Sequence, residues 1–212
     1  MGCNDTFLGR FLLSPLCPPA KYLFRKILRV KVVGLQHLPG EGAYIVASNH
    51  RSYLDPPVLN SVFPEPLIFL AKEELFKPPL GWIIRHMRAL PIKRGARDLS
   101  ALELAMELLR KGCKVALFPE GTRAKPGEFL RPKPGIGFLA IKSGVPVVPV
   151  LVEGTDKVFP RGAKLPRPGH PVKVVIGKPR RFVECGEGPE AFRKVSLEIM
   201  ESIKELSSLH PS

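Results

Sequence analysis

From residue 31 onward, short apolar runs alternate with stretches of helical spacing, and this alternation restricts the fold more than any other feature of the chain. Apolar runs of four to eight residues between turn signals read as strands, and apolar residues three and four apart read as helices. The strand candidates are 31–33, 44–48, 66–71, 89–92, 114–118, 145–152 and 172–176. The helix candidates are 80–87, 98–110, 136–141 and 189–206. The clearest is 98–110: Asp98 suits an N-cap, Leu99, Leu102, Met106 and Leu109 repeat at helical spacing, and Gly112 closes it. Strands interleaved with helices predict an α/β fold, a mixed and largely parallel sheet flanked by helices. At 212 residues, 44% of them hydrophobic, the chain suits one domain with a sizeable core. Pro146 and Pro149 lie so close together in 145–150 that this run predicts an edge or irregular strand.

The first thirty residues differ from the rest. Residues 7–13 are apolar around Gly9 and Arg10, and Pro18-Pro19 opens a second helical stretch over 20–30. There Lys21, Arg25 and Arg29 recur every fourth residue, opposite Leu23, Ile27 and Val30. A basic helix with an apolar face suits a membrane surface, or else the wall of a core. The expected division is an amphipathic two-helix, membrane-associating segment over 1–30 and an α/β domain over 31–212. No apolar run reaches the length of a bilayer-spanning helix. The expectation is therefore a peripheral membrane protein on the cytoplasmic face. The formal net charge of +14 implies anionic partners: nucleic acid, a phosphorylated ligand or anionic lipid. No zinc-finger spacing, RNP-like aromatic stretch or basic heptad helix is present, so nucleic acid is not expected. Cys3, Cys17, Cys113 and Cys185 are scattered without a Cys-x-x-Cys pair, which suggests neither a disulfide framework nor a zinc site.

Four segments fall where strands should end. In Asn49-His50-Arg51-Ser52-Tyr53-Leu54-Asp55-Pro56, a histidine able to act as a base near neutral pH stands five positions before a carboxylate able to orient it. Asp55-Pro56 also reads as an N-cap followed by the first helical position. Lys93-Arg94-Gly95 sets two cations beside a glycine, which suits a phosphate. In Leu117-Phe118-Pro119-Glu120-Gly121-Thr122-Arg123 a strand runs into a carboxylate, a flexible turn, a hydroxyl and a cation, and Phe118 to Arg123 is the third motif. The run 145–150 is apolar and offers no polar side chain. Taken singly, each also reads as an ordinary turn, a solvated charge pair or core.

Together, in this order and spacing, the four segments resemble the four motifs of the glycerolipid acyltransferase family, closest to the bacterial 1-acyl-glycerol-3-phosphate acyltransferases. That resemblance implies transfer of an acyl group from a thioester, on coenzyme A or acyl carrier protein, to the free hydroxyl of lysophosphatidic acid, giving phosphatidic acid. Glycerol 3-phosphate or another lysophospholipid fits the same motifs. It further implies that His50 is the general base and Asp55 its orienting carboxylate. Lys93, Arg94 and Arg123 match positions that bind the acceptor phosphate, with Gly95 beside them. Glu120, Gly121 and Thr122 match positions tied to acceptor binding or site shape. The thioester is a co-substrate, and no cofactor or metal is implied. A hydroxyl attacking a thioester needs a base and an oxyanion stabiliser, and no Gly-x-Ser-x-Gly elbow supports a serine acyl-enzyme. The reading from another class is a non-enzymatic basic protein that binds membrane or nucleic acid.

Overall fold

The computed structural model describes residues 17–77, 89–92, 99–163, 165–167 and 169–209. Its strands are β1 (Lys31–Val33), β2 (Tyr44–Ser48), β3 (Ile68–Lys72), β4 (Ala89–Ile92), β5 (Lys114–Leu117), β6 (Val147–Glu153) and β7 (Lys173–Ile176). Its helices are α1 (Cys17–Ile27), α2 (Asp55–Val62), α3 (Leu99–Arg110), α4 (Gly135–Ser143), α5 (Thr155–Val158) and α6 (Pro189–Leu209). The strands form one sheet in the order β1-β7-β6-β2-β5-β3-β4. β2 to β6 run parallel, and β7 turns back antiparallel to β6 with β1 parallel to it. The fold class read from the alternation is therefore the observed one. The expected elements over 7–13 and 80–87, the Asp98 cap and the Lys93-Arg94-Gly95 segment lie outside the described residues.

Strand side chains alternate between faces, and this divides the core in two. On one face Val46, Val148, Val150, Val152 and Ile176 pack with Val58, Leu59 and Val62 of α2 and with Leu28 just past α1. On the other Ile45, Ala47, Val115, Val147 and Leu151 pack with α3, α4 and α6, through Met106, Leu139, Ile199 and Ile203 among others. β2 is buried along its whole length, as a central strand covered on both faces must be. The chain leaves β2 through α2 on the first face, and leaves the neighbouring β5 through α4 on the second. Departures to opposite faces from adjacent parallel strands open a crevice at their carboxyl ends, where ligands of α/β sheets bind.

Two expectations fail here. β6 is central rather than an edge strand, hydrogen-bonded to β2 and β7. Pro149 is tolerated because a residue's N–H and C=O point to the same side of a strand. Its carbonyl accepts from the Gly177 N–H at 2.8 Å, so the missing N–H points toward β7, past the last ladder pair Val150–Ile176. The cysteine spacing also misled: Cys113, buried ahead of β5, is disulfide-bonded. Separation along the chain says nothing about approach in space.

Candidate active site

Where β2 ends, Asn49 continues its pairing with a side chain instead of a backbone. Its amide nitrogen donates to Val152 O at 2.9 Å, and its amide oxygen accepts from Val152 N at 2.7 Å. Asn49 is fully buried, so these two bonds satisfy β6 just beyond the last β2–β6 ladder pair, Ser48–Val150. The backbone is thereby released to turn at His50.

Asp55 is also fully buried. Its Oδ2 accepts from His50 Nδ1 at 2.8 Å, Arg51 N at 2.7 Å and Ser52 N at 2.8 Å. Its Oδ1 accepts from Thr155 Oγ1 at 2.6 Å. The N-cap expected at Asp55 is not formed: the cap is Leu54, without a side-chain bond, and Asp55 is the first residue of α2 with Pro56 behind it. The carboxylate turns back into the loop because three donors of the 50–52 turn converge on it. A carboxylate only accepts, so Nδ1 carries a proton, and in the neutral imidazole Nε2 is the nitrogen left with a lone pair. The His50 side chain is 16% exposed. One ring face stacks on Phe118 at a centroid distance of 4.1 Å and 19° between planes, and Phe118 stacks in turn on Phe69. The imidazole thus has a fixed plane, a held proton and an open edge.

Glu120 lies at the head of the turn after β5, yet it does not face the crevice as a free carboxylate. Oε1 accepts from His50 N at 3.0 Å and Oε2 from Leu130 N at 2.8 Å. Ala124 N donates to His50 O at 2.8 Å. Both backbone groups of His50 are therefore held by the Glu120–Ala124 turn. Burial pushes the Glu120 carboxyl above the ordinary carboxylate range, while the Leu130 and His50 N–H groups and the nearby charges of His50 and Arg51 pull it back. Glu120 thus braces the backbone at His50 and Leu130.

Gly121 adopts φ +67°, and a Cβ there would lie 2.7 Å from Lys133 Cε. The glycine serves both the left-handed turn and the passage of the Lys133 side chain, and Lys133 N is tied to Pro119 O at 2.9 Å. Thr122 is exposed and makes no side-chain hydrogen bond among the described residues. The Arg123 guanidinium stacks 3.6 Å from the Tyr53 ring centroid. Neither Arg123 nor Lys133 has a carboxylate within ion-pair distance among the described residues. Arg51 differs: it is 9% exposed, lies over Phe129 at 4.8 Å, and leaves Nε without a partner among the described residues.

The structure therefore brings His50, Asp55, Glu120, Gly121, Thr122 and Arg123 together at the carboxyl edge of β2 and β5. β4 ends at Ile92, and Lys93, Arg94 and Gly95 lie outside the described residues. Sequence reasoning gave no separate role to Asn49, Phe118, Lys133 and Thr155, although Asn49 and Phe118 stand inside segments it singled out.

Comparison with known proteins identifies the family. The pattern of the family described as Acyltransferase matches residues 29–153, more than half of the chain. A chloroplast 1-acyl-sn-glycerol-3-phosphate acyltransferase of Brassica napus is 37% identical over 155 residues, covering 71% of this chain and 45% of that protein. The 1-acyl-sn-glycerol-3-phosphate acyltransferase of Pseudomonas aeruginosa is 32% identical over 210 residues, covering 94% of this chain and 79% of that one. The crystal structure of a 1-acyl-sn-glycerophosphate acyltransferase from Thermotoga maritima matches with a TM-score of 0.70 at 31% identity, over 95% of this chain and 86% of that one. The chain spans less than half the length of the plant relative. On this family match, and with these relatives, the chain belongs to the glycerolipid acyltransferase family.

Proposed function

We propose that the protein transfers a fatty acyl group from a thioester to the free hydroxyl of lysophosphatidic acid, giving phosphatidic acid. The observation that carries this reading is the His50 Nδ1–Asp55 Oδ2 bond of 2.8 Å, made by a histidine with an open edge and a carboxylate with none. A hydroxyl near pH 7 is a weak nucleophile and gains from a base positioned on its proton. The acceptor oxygen gives its proton to His50 Nε2 as it attacks the thioester carbonyl. The tetrahedral intermediate collapses, the C–S bond breaks, and the imidazolium returns the proton to the leaving thiolate. Asp55 stabilises that imidazolium and holds Nδ1.

The acceptor's phosphate falls to cations whose charge is not already compensated. Among the described residues Arg123 has a neutral aromatic partner and Lys133 no carboxylate within ion-pair distance, so both remain available. The family resemblance ties Lys93 and Arg94, with Gly95 beside them in the sequence, to the same phosphate. Coenzyme A or acyl carrier protein serves as donor. Lipid is met at the membrane surface: Tyr22, Leu23 and Ile27 on α1 are exposed beside Lys26 and Arg29, a pattern that suits an anionic interface. No helix among the described residues is long and apolar enough to cross a membrane.

The test is thiol release from palmitoyl-coenzyme A by purified protein, with and without lysophosphatidic acid. Release that requires the acceptor, with phosphatidic acid as product, supports the proposal. Release without acceptor makes the protein a thioesterase. A non-enzymatic basic protein gives none, and its vesicle binding falls steeply with salt and survives His50→Ala.

A further inference from the structure

Asp55 holds four donors, and they are not equivalent. The three on Oδ2 come from its own turn, from His50, Arg51 and Ser52. The one on Oδ1 comes from Thr155, a hundred residues further along the chain. Rotation about the Cβ–Cγ bond carries both oxygens together, and each hydrogen bond tolerates some of it. A donor on Oδ1 resists that rotation from the other side of the carboxylate, and the rotation decides whether a lone pair of Oδ2 points at Nδ1. We propose that Thr155 is a positioning residue for the His50–Asp55 pair, locking the carboxylate plane from the far end of β6. This rests on the functional reading of that pair given above.

The surroundings of Thr155 are built for this contact. Asn49 clamps Val152 near the end of β6. Gly154 then turns the chain at φ +85°, where a Cβ would lie 2.2 Å from Pro171 O, so no other residue fits. Thr155 follows as the first residue of α5, fully buried. A hydroxyl at a helix start ordinarily caps backbone N–H groups. Here the Gly154 cap has no side-chain bond, and the hydroxyl is committed to Asp55. The β-branched side chain has few rotamers, which keeps the oxygen aimed. The apolar run 145–150, which offered the site no polar atom of its own, thus delivers one five residues beyond its end.

Thr155→Val keeps the shape and deletes the donor, Thr155→Ala deletes it with less bulk, and Thr155→Ser keeps it. Two readouts on the full chain decide. The first is the Nδ1–H resonance of His50 in protein carrying 15N-labelled histidine, identified among the five histidines by its loss in His50→Ala. It should stay in place in Thr155→Ser and move or exchange away in Thr155→Val and Thr155→Ala. The second is acyl transfer. The Val and Ala variants should lose about ten- to a hundredfold in kcat, with the acceptor KM within about twofold of the parent, and Thr155→Ser should recover kcat. A wild-type resonance and wild-type kcat in the Val and Ala variants overturn the proposal. So does an equal loss in all three, which would mark a packing role. If the parent protein transfers no acyl group, the functional reading fails, and the resonance alone decides whether Thr155 holds the pair.

Discussion

The turn at 49–55 and the turn at 120–123 sit side by side at one sheet edge and are built on opposite rules. In the first, Asn49 and Asp55 are fully buried, and Asp55 takes four hydrogen bonds from four residues. In the second, beyond Glu120, Gly121 and Thr122 are exposed, and Arg123 and Lys133 carry charges with no carboxylate partner among the described residues. Under the proposed function, the contrast separates two tasks. A base must be oriented before the substrate arrives, because proton transfer tolerates little misplacement. A phosphate reader must keep its charge uncompensated until the phosphate comes, because a prior ion pair would have to be broken. Glu120 belongs by position to the second turn and by function to the first, since it holds the His50 backbone.

This contrast breaks most visibly at His50 and Asp55. His50→Ala and Asp55→Ala should each lower kcat by about 10²- to 10⁴-fold while circular dichroism shows the fold retained. Next come Arg123→Ala and Lys133→Ala. Each should raise the acceptor KM by about ten- to a hundredfold, the worth of a hydrogen bond to a charged group, and leave kcat nearly unchanged. A fall in kcat without a rise in KM would erase the distinction between the turns. Asn49→Ala sharpens the comparison differently. It strands the buried N–H and C=O of Val152, and denaturant unfolding should show a loss of about 1–3 kcal/mol.

The smallest effect concerns Glu120 and pH. Its carboxyl is raised in the folded chain by burial, so the folded state holds that proton where the unfolded state has lost it. Stability attributable to Glu120 is then greatest below the ordinary carboxylate range and falls as pH rises through the raised value. Glu120→Gln does not titrate, and its amide turns a donor toward a backbone N–H. It should be less stable than the parent at low pH, and melting temperatures measured across the acid range should show the deficit narrowing as pH rises.

Much of this was legible in the chain. β2 begins and ends where its apolar run does, because a central strand buried on both faces must be apolar throughout. The His50–Asp55 spacing and the Glu120–Arg123 turn announced the site, since both lie at strand ends that a parallel sheet gathers on one edge. What stayed hidden depends on approach through space. Thr155 is an ordinary residue until Gly154 turns it onto a carboxylate. Asp55 beside Pro56 reads as a cap until three donors claim its oxygen. Glu120 reads as a free acid until two amides occupy it. Pro149 argued for an edge because the side to which its missing N–H points is set by register, which composition does not encode.

The central claim is that His50, held by Asp55, takes the acceptor's proton. The most direct measurement is acceptor-dependent thiol release from palmitoyl-coenzyme A by the parent protein and His50→Ala at matched concentration and comparable melting temperature. The account predicts robust release with lysophosphatidic acid in the parent and loss by orders of magnitude in the variant. Equal release by the two proteins would contradict it.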